Sequence, residues 1–173
     1  MKNKGSVHLY IGNGKGKTTA ALGLLLRATG AGKRGCLIQF LKARASSEIA
    51  VLKKLRIKTV LFGEKHPLFY KSSSIELLKK KIQRDLKKTL AIVMDRGYEI
   101  IILDEILRLP EEGLAEKDDV KRIIRSKPAA TELVLTGGST GRDMIRLADY
   151  VNNIKKIKHP YKEGLKPRLG IEY

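Results

Sequence analysis

Six short apolar runs divide the chain: SVHLYI (6–11), GCLIQFL (35–41), IKTVLF (57–62), YEIIILD (98–104), ATELVLTG (130–137) and YVNNIKKI (150–157). Each is rich in Ile, Val and Leu and bounded by Gly, Pro or charged residues, which predicts six strands. The central runs are continuously hydrophobic rather than alternating, as expected of strands covered on both faces. Between the runs the period changes. Ile75, Leu78, Ile82, Leu86, Leu90 and Val93 recur at three- and four-residue spacing, predicting a helix opened by a capping box of Ser73 and Glu76. Strand and helix alternate along the chain, so the expected fold class is α/β, a parallel sheet with helices on both faces.

In such sheets ligands bind beyond the carboxyl ends of the strands. The segments to inspect are therefore GNGKGKTT after the first run, LKARASSE after the second, FGEKHPLF after the third, DEILRL after the fourth and TGGSTGR after the fifth. The first is the most informative. Glycines at 12, 14 and 16 let successive amides turn inward around an anion, and a helix starting near Lys17 adds its N-terminal dipole. In the pattern G-x-x-x-x-G-K-[ST], Lys17 reaches the outer phosphates and the Thr18 hydroxyl ligates Mg²⁺. Gly12, Asn13, Gly14, Lys15, Gly16, Lys17, Thr18 and Thr19 form the expected ATP-binding loop, with Lys17 its catalytic cation. The first glycine of that pattern falls on Ile11 here, and a glycine follows one place later. The metal's acidic partner is expected from Asp104 and Glu105, which close the run EIIILDE; strand alternation would place the two on opposite sides.

Composition adds limits. With 173 residues, one domain spanning 1–173 is expected, burying roughly 70% of its unfolded surface, with 158–173 a tail packed on the body. No apolar run has the length of a membrane span and the N-terminus lacks a signal-peptide core, so a cytoplasmic protein without membrane association is expected. Cys36 is the one cysteine and lies within an apolar run, reading as a buried structural thiol. The net charge of +18 favours a polyanionic partner. Six tyrosines and three phenylalanines, scattered and without tryptophan, speak against a base-stacking nucleic-acid platform.

Several stretches resemble one family, the P-loop corrinoid adenosyltransferases: GNGKGKTTAALGLLLRA, IQFLK, IIILDE, LVLTG, LADYV, and the ending IKHPY with Gly164, Lys166 and GIEY. The shift of the first glycine is shared with that family. The resemblance implies a RecA-like P-loop NTPase fold, a homodimer, and transfer of the 5′-deoxyadenosyl group of ATP to cobalt(I) of a reduced corrinoid, with release of tripolyphosphate. It also implies an acidic flavodoxin-type protein as the reductant. Residues 43–97 depart most. Glu48 is the counterpart of a Gly-Glu pair, and the segment around Phe62 to Tyr70 lacks the family's tryptophan, leaving Phe62, His66, Phe69 or Tyr70 as corrinoid contacts, with His159 and Tyr161 from the ending. A phosphate-facing arginine is replaced by Gly138, while Arg142 matches a later position. The competing readings are a nucleic-acid-stimulated P-loop ATPase and a catalytically divergent ATP-binding member of the family.

Overall fold

A computed structural model describes residues 4–43, 46–64, 74–158, 160, 164 and 168–171. All six predicted strands form: β1 (Val7–Ile11), β2 (Gly35–Gln39), β3 (Lys58–Leu61), β4 (Ile100–Asp104), β5 (Glu132–Thr136) and β6 (Tyr150–Asn153). They join in one parallel sheet of order β3-β2-β4-β5-β1-β6. The helices are α1 (Lys17–Gly30), α2 (Glu48–Lys54), α3 (Ile75–Met94), α4 (Arg108–Glu111), α5 (Lys117–Arg125) and α6 (Arg142–Ile145).

The two faces of the sheet build separate cores. On one, Ala21 and Leu25 of α1 and Ile49 and Leu52 of α2 pack against Leu37, Ile100, Ile102 and Val134. On the other, α3 and α5 cover Cys36, Ile38, Ile101, Leu103, Leu133 and Leu135. Successive residues of β2, β4 and β5 thus feed opposite cores, and every residue of β2 and β4 is buried. This is why those runs carry no polar alternation. The expected thiol is in place: Cys36 is fully buried, and burial pushes its pKa up to about 12. Phe62, one of the expected corrinoid contacts, is in the core instead, its ring 5.1 Å from that of Phe40.

Helix α3 carries the predicted face, burying Leu78, Ile82, Leu86 and Val93. Its N-cap is Ser74, without a side-chain cap hydrogen bond, and Ser73 of the expected capping box lies outside the described residues. A capping box is found at α5, between Glu116 and Asp119. Acidic side chains substitute for the usual Ser and Glu, which is why the pattern is not legible in the sequence.

Candidate phosphate and metal site

The carboxyl ends of β1, β4, β5 and β2 converge on one site. Gly12 and Gly16 sit at φ 112° and 113°, turning the chain from β1 into α1. The reason for glycine at 12 and 14 lies far away in sequence. A Cβ at Gly12 would come within 2.3 Å of the Ile154 carbonyl oxygen, and one at Gly14 within 2.7 Å of the same atom. The segment leaving β6 crosses directly over the loop, with Gly14 N–H donating to Ile154 O at 2.8 Å and Lys156 N–H donating to Asn13 Oδ1 at 2.9 Å. Gly12 N–H donates to Gly138 O at 2.6 Å, fastening the loop to the turn after β5. The shift of the first glycine from 11 to 12 follows from this: Ile11 still pairs with Asn153 in the sheet, so the first close approach comes one residue later.

Helix α1 begins at Lys17, as expected, and has no acidic residue in its first turn. Its opening amides lack intrahelical acceptors and face an uncompensated dipole, a standing preference for an anion. Lys17 Nζ donates to Gly14 O at 2.9 Å, folded back over its own loop.

Asp104 is the hub. It is fully buried. Its Oδ1 accepts from the hydroxyls of Thr18 and Thr136, both at 2.8 Å, and its Oδ2 accepts from Gln39 Nε2 at 3.0 Å and lies 3.2 Å from Lys42 Nζ. The strand order explains the geometry: β5 lies between β4 and β1, so Thr136 at its end braces the carboxylate that Thr18 reaches across the gap. Because the Thr18 hydroxyl gives its proton to Asp104, its lone pairs are left for a cation.

Glu105 departs from the alternation argument. β4 ends at Asp104, and Glu105 adopts φ 61°, a left-handed turn that takes it out of the strand. Burial pushes its carboxyl pKa up, the Asp104 charge adds to that, and Arg108, Lys17 and Lys42 oppose it. Lys42, which faces Asp104 as well, thus acts on both carboxylates. Glu105 Oε2 is buried without a hydrogen-bond partner, and so is Arg108 Nε, 3.8 Å from it. A buried carboxylate, an orphaned second carboxylate oxygen and a threonine hydroxyl suit a hard, oxygen-seeking cation. Among the described residues, no group of three or more His, Cys, Asp or Glu side chains could hold a metal ion. The donor set thus fits a cation completed by phosphate oxygens and water.

Glu48 also belongs here. Its Oε1 accepts from Ser46 Oγ at 2.5 Å and from Gln39 Nε2 at 3.4 Å, and lies 3.6 Å from Lys42 Nζ. Burial pushes its carboxyl pKa up, but those hydrogen bonds, a backbone one and the Lys42 charge outweigh it, leaving the pKa below its ordinary value. At Gly138 a Cβ would lie 2.6 Å from Glu111 Oε2, the end of a flexible side chain that a substituent there would have to displace.

The predicted loop residues 12–19, Asp104 and Glu105 are thus brought together. His66, Phe69, His159 and Tyr161, the expected corrinoid contacts, lie outside the described residues. Sequence reasoning did not single out Gln39, Lys42, Thr136 or Arg108. Their one signal is position, each ending or closely following a strand.

Residues 3–173 match the family profile for ATP:corrinoid adenosyltransferase BtuR/CobO/CobP. The chain is 28% identical over 173 residues to the corrinoid adenosyltransferase of Escherichia coli strain K12, covering 98% of this chain and 86% of that protein. It is 30% identical over 178 residues to the corrinoid adenosyltransferase of Pseudomonas aeruginosa, covering 98% and 84%. Identity to the corrinoid adenosyltransferase CobA of Salmonella typhimurium is 26% over 174 residues, covering 100% and 88%. With a match along almost its whole length, the chain belongs to the ATP:corrinoid adenosyltransferase family.

Proposed function

We propose that this protein transfers the 5′-deoxyadenosyl group of ATP to cobalt(I) of a reduced corrinoid and releases tripolyphosphate. The observation that carries the reading is the Thr18–Asp104 hydrogen bond beneath a glycine loop, in a chain of this family. Cobalt(I) bears no proton, so the attack on the ribose C5′ requires no general base. What the chain must supply is in-line placement and relief of the charge growing on the departing triphosphate. Lys17, once released from Gly14 O, would reach the outer phosphates, with Lys15 and the first amides of α1 as further donors. Thr18, Asp104 and Glu105 would hold Mg²⁺, which when bound neutralises phosphate charge.

The same reading includes an acidic flavodoxin-type reductant, supported by the net charge of +18, and a cytoplasmic homodimer, supported by the family resemblance. The test is to incubate the protein with Mg²⁺, ATP and chemically reduced cobalamin, following cobalt–carbon bond absorbance and tripolyphosphate. Stoichiometric appearance of both is expected. Orthophosphate released without corrinoid and stimulated by DNA or RNA would overturn the reading in favour of an ATPase acting on nucleic acid.

A further inference from the structure

Lys42 occupies a position that the phosphate loop does not explain. It follows Leu41, which has φ 54°, a left-handed conformation that a bulky side chain rarely adopts. That turn brings the chain leaving β2 back over the sheet end. There Lys42 Nζ lies 3.2 Å from Asp104 Oδ2 and 3.6 Å from Glu48 Oε1. Glu105, at the end of neighbouring β4, is the second strained residue beside the same carboxylate. Two costly backbone conformations thus flank one buried acid. Gln39 Nε2 spans both acceptors, 3.0 Å from Asp104 Oδ2 and 3.4 Å from Glu48 Oε1, so it holds the two carboxylates at a fixed separation with the ammonium between them.

A buried carboxylate needs a counter-charge at all times. When a divalent cation arrives beside Asp104 and Thr18, an ammonium already 3.2 Å from that carboxylate is repelled. Glu48 is the acceptor it can keep, since the two are already within ion-pair distance and Ser46 and Gln39 hold the Glu48 carboxylate in place.

We infer that Lys42 is a stand-in cation for the metal. It neutralises Asp104 in the unloaded site and moves onto Glu48 when the metal enters, so Glu48 is a positioning residue that sets metal affinity through Lys42. The inference rests on the reading of this site as one for a metal and a triphosphate. It assigns to Lys42 a competition with the metal, and to Glu48, which touches neither metal nor phosphate, the role of relieving it.

The test uses Mn²⁺ as the probe, with free Mn²⁺ followed by its electron paramagnetic resonance signal, in the full chain without corrinoid. Lys42→Met is expected to bind Mn²⁺ about tenfold more tightly than wild type without nucleotide, because the competing charge is gone. Glu48→Gln is expected to bind it several-fold more weakly, because Lys42 then has Asp104 alone. Lys42→Arg, which keeps the charge, is expected to retain wild-type affinity to within about threefold. In the double variant Lys42→Met, Glu48→Gln the effect of the second change is expected to vanish. Purely structural roles would weaken binding in both single variants, and that result overturns the inference. So does an unchanged affinity in Lys42→Met, or an undiminished Glu48→Gln effect in the double variant. Wild-type protein that binds no Mn²⁺ even with ATP present would overturn the reading of the site itself, a failure visible before any variant is made.

Discussion

The two ends of the sheet hold positive charge in opposite ways. At the carboxyl end three cations face an acid or a carbonyl: Lys42 with Asp104 and Glu48, Arg108 with Glu105 and Glu112, Lys17 with Gly14 O. At the amino end a cleft of about 650 Å³ gathers Lys33, Arg34, Lys53, Arg56 and Lys58, and among the described residues only Arg34 has a carboxylate, Glu99, within ion-pair distance. A search for the site by positive charge alone would choose the wrong end. The carboxyl end is marked instead by the buried carboxylate of Asp104, braced by the hydroxyls of Thr18 and Thr136, a feature that a solvated lysine face has no need of.

The largest test of that contrast is Lys17→Ala, expected to lower adenosyl transfer on the order of 10³-fold with the fold intact, measured as tripolyphosphate release and thermal unfolding. Retained activity would remove the phosphate loop from the mechanism. Leu25→Ala is the counterpart at the amino end. Leu25 is fully buried, with Cδ1 against Gly35, so truncation is expected to cost about 2–5 kcal/mol in denaturant unfolding while the turnover of folded protein stays the same.

Two carboxylates in the site should titrate with opposite signs. Burial, then Asp104, raises the Glu105 pKa, so folded protein keeps a proton that the unfolded chain loses, and stability falls as pH rises from the ordinary carboxylate range through the raised value. Glu105→Gln is therefore expected to raise the melting temperature above that window. The Glu48 pKa is lowered, so its contribution is present above the ordinary range and is lost as pH falls through the depressed value. Glu48→Gln is expected to lower the melting temperature at neutral pH, with the difference vanishing in acid. Melting curves from pH 3 to 8 check both, and shifts of the same sign would break the contrast.

The smallest effect is expected in the basic cleft. Arg56 closes α2 at φ 57°, so Arg56→Gly is expected to be stabilising by about 0.5–1 kcal/mol and to leave kcat within about twofold. A larger loss of activity would mean that the amino end communicates with the site.

Much of this molecule was legible beforehand because its signals are local. Each strand announced itself by an uninterrupted apolar run, and GNGKGKTT carried its turn, cation and hydroxyl within eight residues. Helix α3 followed from its period alone. The turn at Glu105 was not legible because alternation assumes that the strand continues, whereas the chain turns left-handed at that residue. The burial of Phe62 was not legible because an aromatic after a strand reads alike whether it faces a ligand or packs on Phe40.

By itself the sequence determined the strand and helix pattern, the glycine-rich turn into α1 and the presence of an acidic pair, since each depends on residues near one another in the chain. Tertiary structure alone decided that Gln39, Lys42, Thr18 and Thr136 share the one buried carboxylate of Asp104, that Glu48 meets two of them, and that Gly12 and Gly14 must stay bare beneath Ile154. Those contacts join segments up to 142 residues apart, Gly12 to Ile154 among them. The order in which parallel strands lie side by side creates them, and no periodicity within a single strand encodes that order.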